Sequence, residues 1–492
     1  MSRSARFFGF DDANAEIMRL ARIIMTLVPI IVVTVTMSTT FYIIFIADAL
    51  GGGEGMYLQG MALVGVLVVI QLVTQTLLDY PTGVLGDWIG QRFVIASAYI
   101  CYAIVFFLTS LVTTETPFTL LILIYILTGV AASQESGAWG AWFDNNYRYA
   151  MPKDTDRKQY GVFQGRMGMV FTLVATASLI PGSILAVLFG RAWVFQLEAI
   201  VCFVVAIIVL KIVRDFPEVE AAREERPSMT AYVGILKAGA SFLFSNPFIK
   251  WLILGGMMLL SAIITWGNLI LFPLYFSYLL TDVAVASFRT ILFIPGVVSQ
   301  ERSGVWSQRF EPKKWIPRFR LLQTCGFVFF MVIAFVMYIF PPVIESMTIV
   351  DVFIPFTTIV IMSVAIESLL PILLLLLTFV FTGFFSGFAD ILTMRILLDV
   401  IPNKIRNSVY SLIPTVAMIF AIPQIIIIGA TIQYLGFPIS LVLCAFISLL
   451  GVLMVRKGLS YPIPIKQDDI GTPPQEEPET VEDDLQEIAD ET

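Results

Sequence analysis

What most constrains this chain is a succession of long apolar runs joined by short polar connections. About twenty apolar residues in a helix cross about 30 Å of hydrocarbon. Twelve runs reach that length, at 23–50, 57–82, 93–113, 118–143, 159–189, 192–213, 249–280, 283–307, 319–340, 369–399, 408–432 and 437–456. Backbone groups in lipid must bond within their own segment, so runs this long read as helices. The sequence predicts an all-α integral membrane protein with twelve transmembrane helices. The chain is 58% hydrophobic and 14% charged, with almost no stretch polar enough for a soluble domain.

Charge supports this count. With the amino terminus inside, about 28 of the 30 Lys and Arg fall on or near the cytoplasmic side. Only Arg191 and Arg289 fall outside, and an error of one span would scramble the pattern. The reading is a multi-pass cell-membrane protein with both termini cytoplasmic. No small-residue cleavage site follows the first run, so residues 1–22 read as a cytoplasmic lead rather than a signal peptide. The net charge of −7 is a property of the tail: residues 467–492 hold eleven acids and no base, leaving the rest at +4. Residues 457–492 therefore read as a disordered cytoplasmic tail.

The runs fall into two sets of six, 23–213 and 249–456. Between them, 214–248 is charged and then amphipathic: Met229, Tyr232, Val233, Leu236, Ala240 and Leu243 share one helical face. The apolar stretch 352–366 is short for a span, so 343–368 reads as an extracellular insertion. The halves echo each other. Glu135 precedes Asp144 by nine residues in the fourth span, and Asp390 precedes Asp399 by nine in the tenth. Gly304–Lys313 follows the eighth span as Gly83–Arg92 follows the second. Weak repeats in corresponding slots are expected of a two-bundle transporter.

One connection carries a motif. Pro81–Arg92 joins the second and third runs and contains Gly83, Leu85, Asp87, Gly90 and Arg92. Gly83 permits close helix approach, Gly90 suits a tight reversal, and Asp87 is a carboxylate at the membrane edge that needs a partner. The spacing resembles the signature loop of the major facilitator superfamily, G-x-L-x-D-R-x-G-R-R, with Trp88 and Gln91 where two basic residues would stand. The resemblance covers roughly residues 20–456. It implies two pseudo-symmetric six-helix bundles rocking about a central site. It also implies that Asp87 meets the start of the eleventh helix, near Asn407 and Ser408, as a gate. Arg92 would reach Asp144. An arginine often seen ahead of a glycine in the fourth span of proton-coupled members is missing from Ile122–Gly129. The exporters' Pro-Gly motif is present only loosely, as Gly161, Gly165, Gly168 and Pro181-Gly182.

Ionisable groups inside lipid cost several kcal/mol unless paired or wet, so each is a functional candidate. Glu135 and Arg166 lie at similar depth on consecutive helices and are expected to pair; together with Asp390 they are the ion-coupling candidates. Arg395 and Asp399, four apart, read as a cytoplasmic latch. Tyr42, Gln71, Gln75, Trp266, Asn268 and Tyr275 are the polar and aromatic candidates for lining a substrate cavity, and Asp48 a rim charge. With no histidine, and four cysteines each inside an apolar run, there is no metal-ligand pattern and no disulfide framework. No phosphate-binding G-x-x-x-x-G-K-[ST] loop is present, and no cofactor is called for. The expectation is a secondary active transporter, not an enzyme. It would be monomeric, with no nucleic-acid partner, exporting a hydrophobic or amphipathic small molecule in exchange for protons. A nutrient uptake carrier is the alternative within that fold; a lipid-modifying membrane enzyme or a non-transporting sensor is the alternative outside it.

Overall fold

The computed structural model describes residues 7–10, 14–154, 157–221, 237, 241–292, 309–342, 348–401 and 406–464; side chains at 80, 398, 399 and 406–412 lie outside that description. The acidic tail, the echo loop at 304–308 and most of the amphipathic linker therefore fall outside it.

The first half comprises α1 (Ala15–Thr36), α2 (Tyr42–Gly51), α3 (Tyr57–Ile89), α4 (Gln91–Ser110), α5 (Phe118–Ala150), α6 (Lys158–Phe189) and α7 (Arg191–Ile212), followed by a short α8 (Pro217–Ala221). Asn14 starts α1, its side chain accepting the Ile17 N–H at 2.8 Å. The first span is broken: α1 stops at Thr36, a turn covers Met37–Phe41, and α2 resumes. Thr36, Ser38, Thr39 and Thr40 crowd that turn, and short hydroxyl side chains compete for the backbone groups that a helix needs. Turns at Gly90 (φ 101°) and Gly190 (φ 90°) reverse the chain where L side chains would be strained.

In the second half, α9 (Pro247–Thr265) is capped by Asn246, with Pro247 at its first turn. A π-helical turn, Trp266–Ile270, joins it to α10 (Leu271–Leu279). Next come α11, described over 282–292, then α12 (Pro312–Leu322) and α13 (Phe327–Ile339). An antiparallel hairpin follows, β1 (Ile349–Phe353) paired with β2 (Val360–Ala365). The chain then runs through α14 (Leu369–Val400) and α15 (Arg406–Leu459). The expected insertion is thus a hairpin. Its Ser363 N–H donates to Thr281 at 3.4 Å.

Among the described residues ten helices are long and apolar enough to cross a membrane. One of them, Ile413–Leu459, runs 47 residues and would be about 70 Å straight, more than twice the hydrocarbon thickness. It breaks at Gly436 (φ 80°), which divides it into the last two spans. The eighth span is described only in part. These features are consistent with twelve spans. The helices overrun several expected limits, α3 reaching Ile89 and α5 reaching Ala150. The motif segment is consequently helical up to Gly90.

We call the side bearing Asn14, Gly90 and Ala150 the terminal face, and the other the far face. The apolar cores differ between them. One cluster joins α2, α3 and α5 to α10, α11, α13 and α15, and so is shared by both halves. A second cluster draws only on the first half and a third only on the second. Both halves meet through the antiparallel packing of α3 on α15, where a Cβ on Gly65 would stand 3.1 Å from the Ile425 carbonyl oxygen. Ala62 N–H also donates to Gln433 there, at 3.1 Å.

Candidate functional site

A central cavity of about 280 Å³ lies between the halves. Ser38, Thr39 and Tyr42 from the broken first span face it, with Gln71 of α3 and Tyr102 of α4. Gly267 and Asn268, from the π turn, complete the wall on the second half. Both the first and seventh helices therefore lose α-helical regularity where they meet this space. Broken helices mark binding sites in transporters because freed backbone groups can be satisfied there by side chains or cargo.

Three of the six expected lining residues, Tyr42, Gln71 and Asn268, face the cavity. Gln75, one turn beyond Gln71, is half-buried and outside it. Trp266 is instead buried against Phe329, Phe330 and Phe379, and Tyr275 against Phe288 and Phe379. Their rings turn into the core of the second half, so they are corrected to packing residues.

Behind the broken turn sits a carboxylate that the sequence reading passed over. Glu198 of α7 is fully buried. Its Oε1 accepts the Ser38 N–H at 2.9 Å, while its Oε2 has no hydrogen-bond partner. The helix break releases that N–H from the α-helical ladder, and the carboxylate takes it. An acid inside an apolar run was the signal, the same one that singled out Glu135.

The expected Glu135–Arg166 pair does not form. Glu135 accepts from the Tyr99 hydroxyl at 2.7 Å, and Tyr99 in turn accepts from Trp139 Nε1 at 3.2 Å. Arg166 donates to the backbone carbonyl of Phe7. Matching depth was right in principle, but α6 turns Arg166 towards the N-terminal lead while Glu135 turns towards α4. Asp79 of α3, another acid inside a run, is exposed and accepts from Ser136 at 2.9 Å.

Asp390 is held by Arg320 at 2.7 Å, within the second half, and does not line the central cavity. Arg320 also reaches Thr393 at 3.1 Å and Gln323 at 2.9 Å. Arg395 is exposed, and its expected latch partner Asp399 has its side chain outside the description.

At the motif, Gly90 takes the positive φ that its position requires. Among the described residues, no atom lies within 4 Å of a Cβ built on Gly83. Asp87 accepts from Gln91 at 3.1 Å; the side chains of Asn407 and Ser408 lie outside the description. Asp144 is engaged by Arg157 and Arg148, each at 2.9 Å, rather than by Arg92, which lies 4.5 Å over the Phe93 ring. Arg148 and Arg157 thus take the place beside Asp144 that Arg92 was expected to fill, and Asp144 Oδ1 accepts no hydrogen bond among the described residues.

The loop after α5 holds a further carboxylate. Asp154 accepts from the Tyr147 hydroxyl at 2.6 Å and from the Tyr160 N–H at 3.2 Å. Burial raises its pKa, but the Tyr147 hydroxyl and the N–H groups of Tyr160, Gln159 and Lys158 outweigh that and hold it below the usual range.

On the far face, Arg191 ties the halves together. Its Nε and Nη2 each meet an oxygen of Asp282 at 2.9 Å, and its Nη1 meets Asp48 at 3.2 Å. Phe41 and Phe276 flank the guanidinium at 5.9 and 5.5 Å. A vestibule of about 630 Å³ lies against this network, lined also by Glu54 and Thr281. It is larger than the central cavity but sits at the rim, on the lid itself. Tyr57 adds a hydrogen bond to the Pro273 carbonyl at 3.4 Å. Among the described residues, the polar contacts between halves cluster in the far part of the molecule.

Apolar spans in two halves around a shared cavity, with a motif loop after the second span, are the arrangement of a facilitator-type carrier. The model of the Major Facilitator Superfamily matches residues 24–371, and the chain belongs to that superfamily. Solved structures share the fold at low identity. The nucleoside transporter NupG is 14% identical, with 88% of this chain and 100% of that one covered, at a TM-score of 0.59. A D-xylose–proton symporter is 11% identical, covering 90% and 97%, at 0.60. A POT family transporter in complex with 5-aminolevulinic acid is 12% identical, covering 87% and 94%, at 0.57. No curated protein matches the chain in sequence.

Proposed function

We propose that this member of the superfamily is a secondary active carrier that binds a small amphipathic cargo in the central cavity and exposes it alternately to each face. The observation that carries this reading is the cavity itself, walled by both halves at the breaks of the first and seventh helices. Its wall mixes rings with hydroxyls and amides, which suits a weakly polar organic molecule. The shared core and the Arg191 network join the halves on the far face, while among the described residues the clusters towards the terminal face stay separate, which favours a conformation open to the terminal side. With the termini cytoplasmic, as the charge bias favours, this is an inward-open state.

For direction, uptake is the better-supported reading. The export reading leaned on Pro181-Gly182, yet Gly182 serves packing: a Cβ there would stand 2.2 Å from the Met37 carbonyl oxygen. A D-xylose–proton symporter among the similar structures also favours inward movement with protons. Glu198 and Glu135 are the proposed coupling carboxylates, both turned into the first half and neither paired with a cation among the described residues. Asp87 with Gly90, and Asp144 with Arg157, form the proposed terminal-face gate.

The test is flux into sealed vesicles of the purified protein, using labelled nucleosides, pentoses and small organic acids with and without an imposed pH gradient. Accumulation of a panel member above protein-free vesicles, enhanced by the gradient, is expected. No flux of any member through folded protein would contradict the carrier assignment.

A further inference from the structure

The charge pattern of the sequence puts Arg289 among the charges outside the membrane. The structure puts it seven residues into α11, about 10 Å beyond Asp282. Seven residues are nearly two full turns, so Arg289 and Asp282 share a face of that helix. That face looks onto the seam between the halves: Asp282 pairs across it with Arg191, and neighbouring Thr290 donates across it to the Thr176 carbonyl at 3.4 Å.

Arg289 is half-buried, and among the described residues it makes no ion pair and no hydrogen bond. Arg166 on Phe7, Arg191 on two acids and Arg320 on Asp390 are all engaged. Nearby Asp282 is already taken through both its oxygens. A guanidinium at such depth is costly unless an anion or water meets it, and its planar fork suits a carboxylate or a phosphate.

We infer that the cargo carries an oxyanion, and that Arg289, on the face of α11 that looks onto the seam between the halves, is the residue that binds it. This names the cargo class for the proposed carrier and rests on that reading.

The test uses full-length protein in detergent at fixed ionic strength, with thermal melting as readout. The probes are small carboxylates and phosphates, each beside a neutral isostere: benzoate with benzamide, glucose 6-phosphate with glucose. At least one anion is expected to raise the melting temperature saturably while its neutral partner does not. The carboxylate and phosphate arms tell which oxyanion is preferred. Arg289→Gln should weaken that binding about 10- to 100-fold, the loss of a charge-assisted hydrogen bond. Arg289→Lys, which keeps the charge and loses the fork, should fall between, and serves as the readout if the glutamine variant does not fold. The inference is overturned if no anion binds, if neutral isosteres bind equally well, or if the variants bind as wild type does. A neutral probe that binds and is also carried in vesicles would overturn the oxyanion assignment while leaving the carrier reading intact.

Discussion

Glu198 places one free carboxylate oxygen directly behind the turn that breaks the first helix. Binding a proton there changes the acceptor holding the Ser38 N–H, and so links ion occupancy to the cavity wall. Glu198→Gln keeps the shape and an amide oxygen for that N–H but cannot titrate. It should lose gradient-driven accumulation in vesicles while retaining cargo exchange at equal pH; full accumulation by this variant would reject the coupling role. Asp154 acts on stability instead. Its depressed pKa means that its contribution is complete above about pH 4, the unfolded value, and is lost as pH falls through the folded value. Asp154→Asn should cost about 1 kcal/mol, as loss of a helix-capping carboxylate does, and should flatten the fall of the melting temperature as the pH drops below about 4. At this scale the sequence marked which residue types mattered better than which partners they had. Glu135 and Asp390 stood out as acids in apolar runs, but side-chain direction decided that Tyr99 and Arg320 would meet them. Periodicity alone does not fix the rotation of one long apolar helix against another. The same rule applied evenly would have reached Asp79 and Glu198.

The helices were legible because a membrane leaves few other ways to satisfy a backbone. Hydropathy located the spans, and the short stretch 352–366 was rightly kept from being one. The interruptions were not legible. Met37–Phe41 reads as apolar with hydroxyls, and the π turn at Trp266–Ile270 has no signal beyond Gly267 and Asn268. Glycines at close approaches were also mixed with glycines that meet no described atom: Gly182 packs on the Met37 carbonyl, while a Cβ on Gly83 has no described neighbour within 4 Å. This gives a test at the scale of one helix pair. Gly182→Ala forces α6 off the broken turn and should destabilise by about 1–3 kcal/mol, the usual range for overpacking. Gly83→Ala should leave the melting temperature unchanged. Equal melting of the two variants would mean that the α1–α6 contact is not as close as the structure shows.

Across the whole molecule, the pseudo-twofold plan was readable in the paired motifs and in the charge bias, whereas the state of the carrier was not. Which face is closed depends on contacts between halves, and the ionic ones come from Arg191, Asp282 and Asp48, residues distant in sequence of which Arg191 and Asp48 stood out only as charges on the outer side. Removing the Arg191–Asp282 link should release the far face. The most direct measurement is a pair of spin-label distances across the seam, one on the far face between labels replacing Thr114 and Thr281, the other on the terminal face between labels replacing Arg148 and Lys314. On introducing Asp282→Asn, alternating access predicts opposite changes, the far pair lengthening as the terminal pair shortens. Two distances that stay fixed, or that lengthen together, would contradict it.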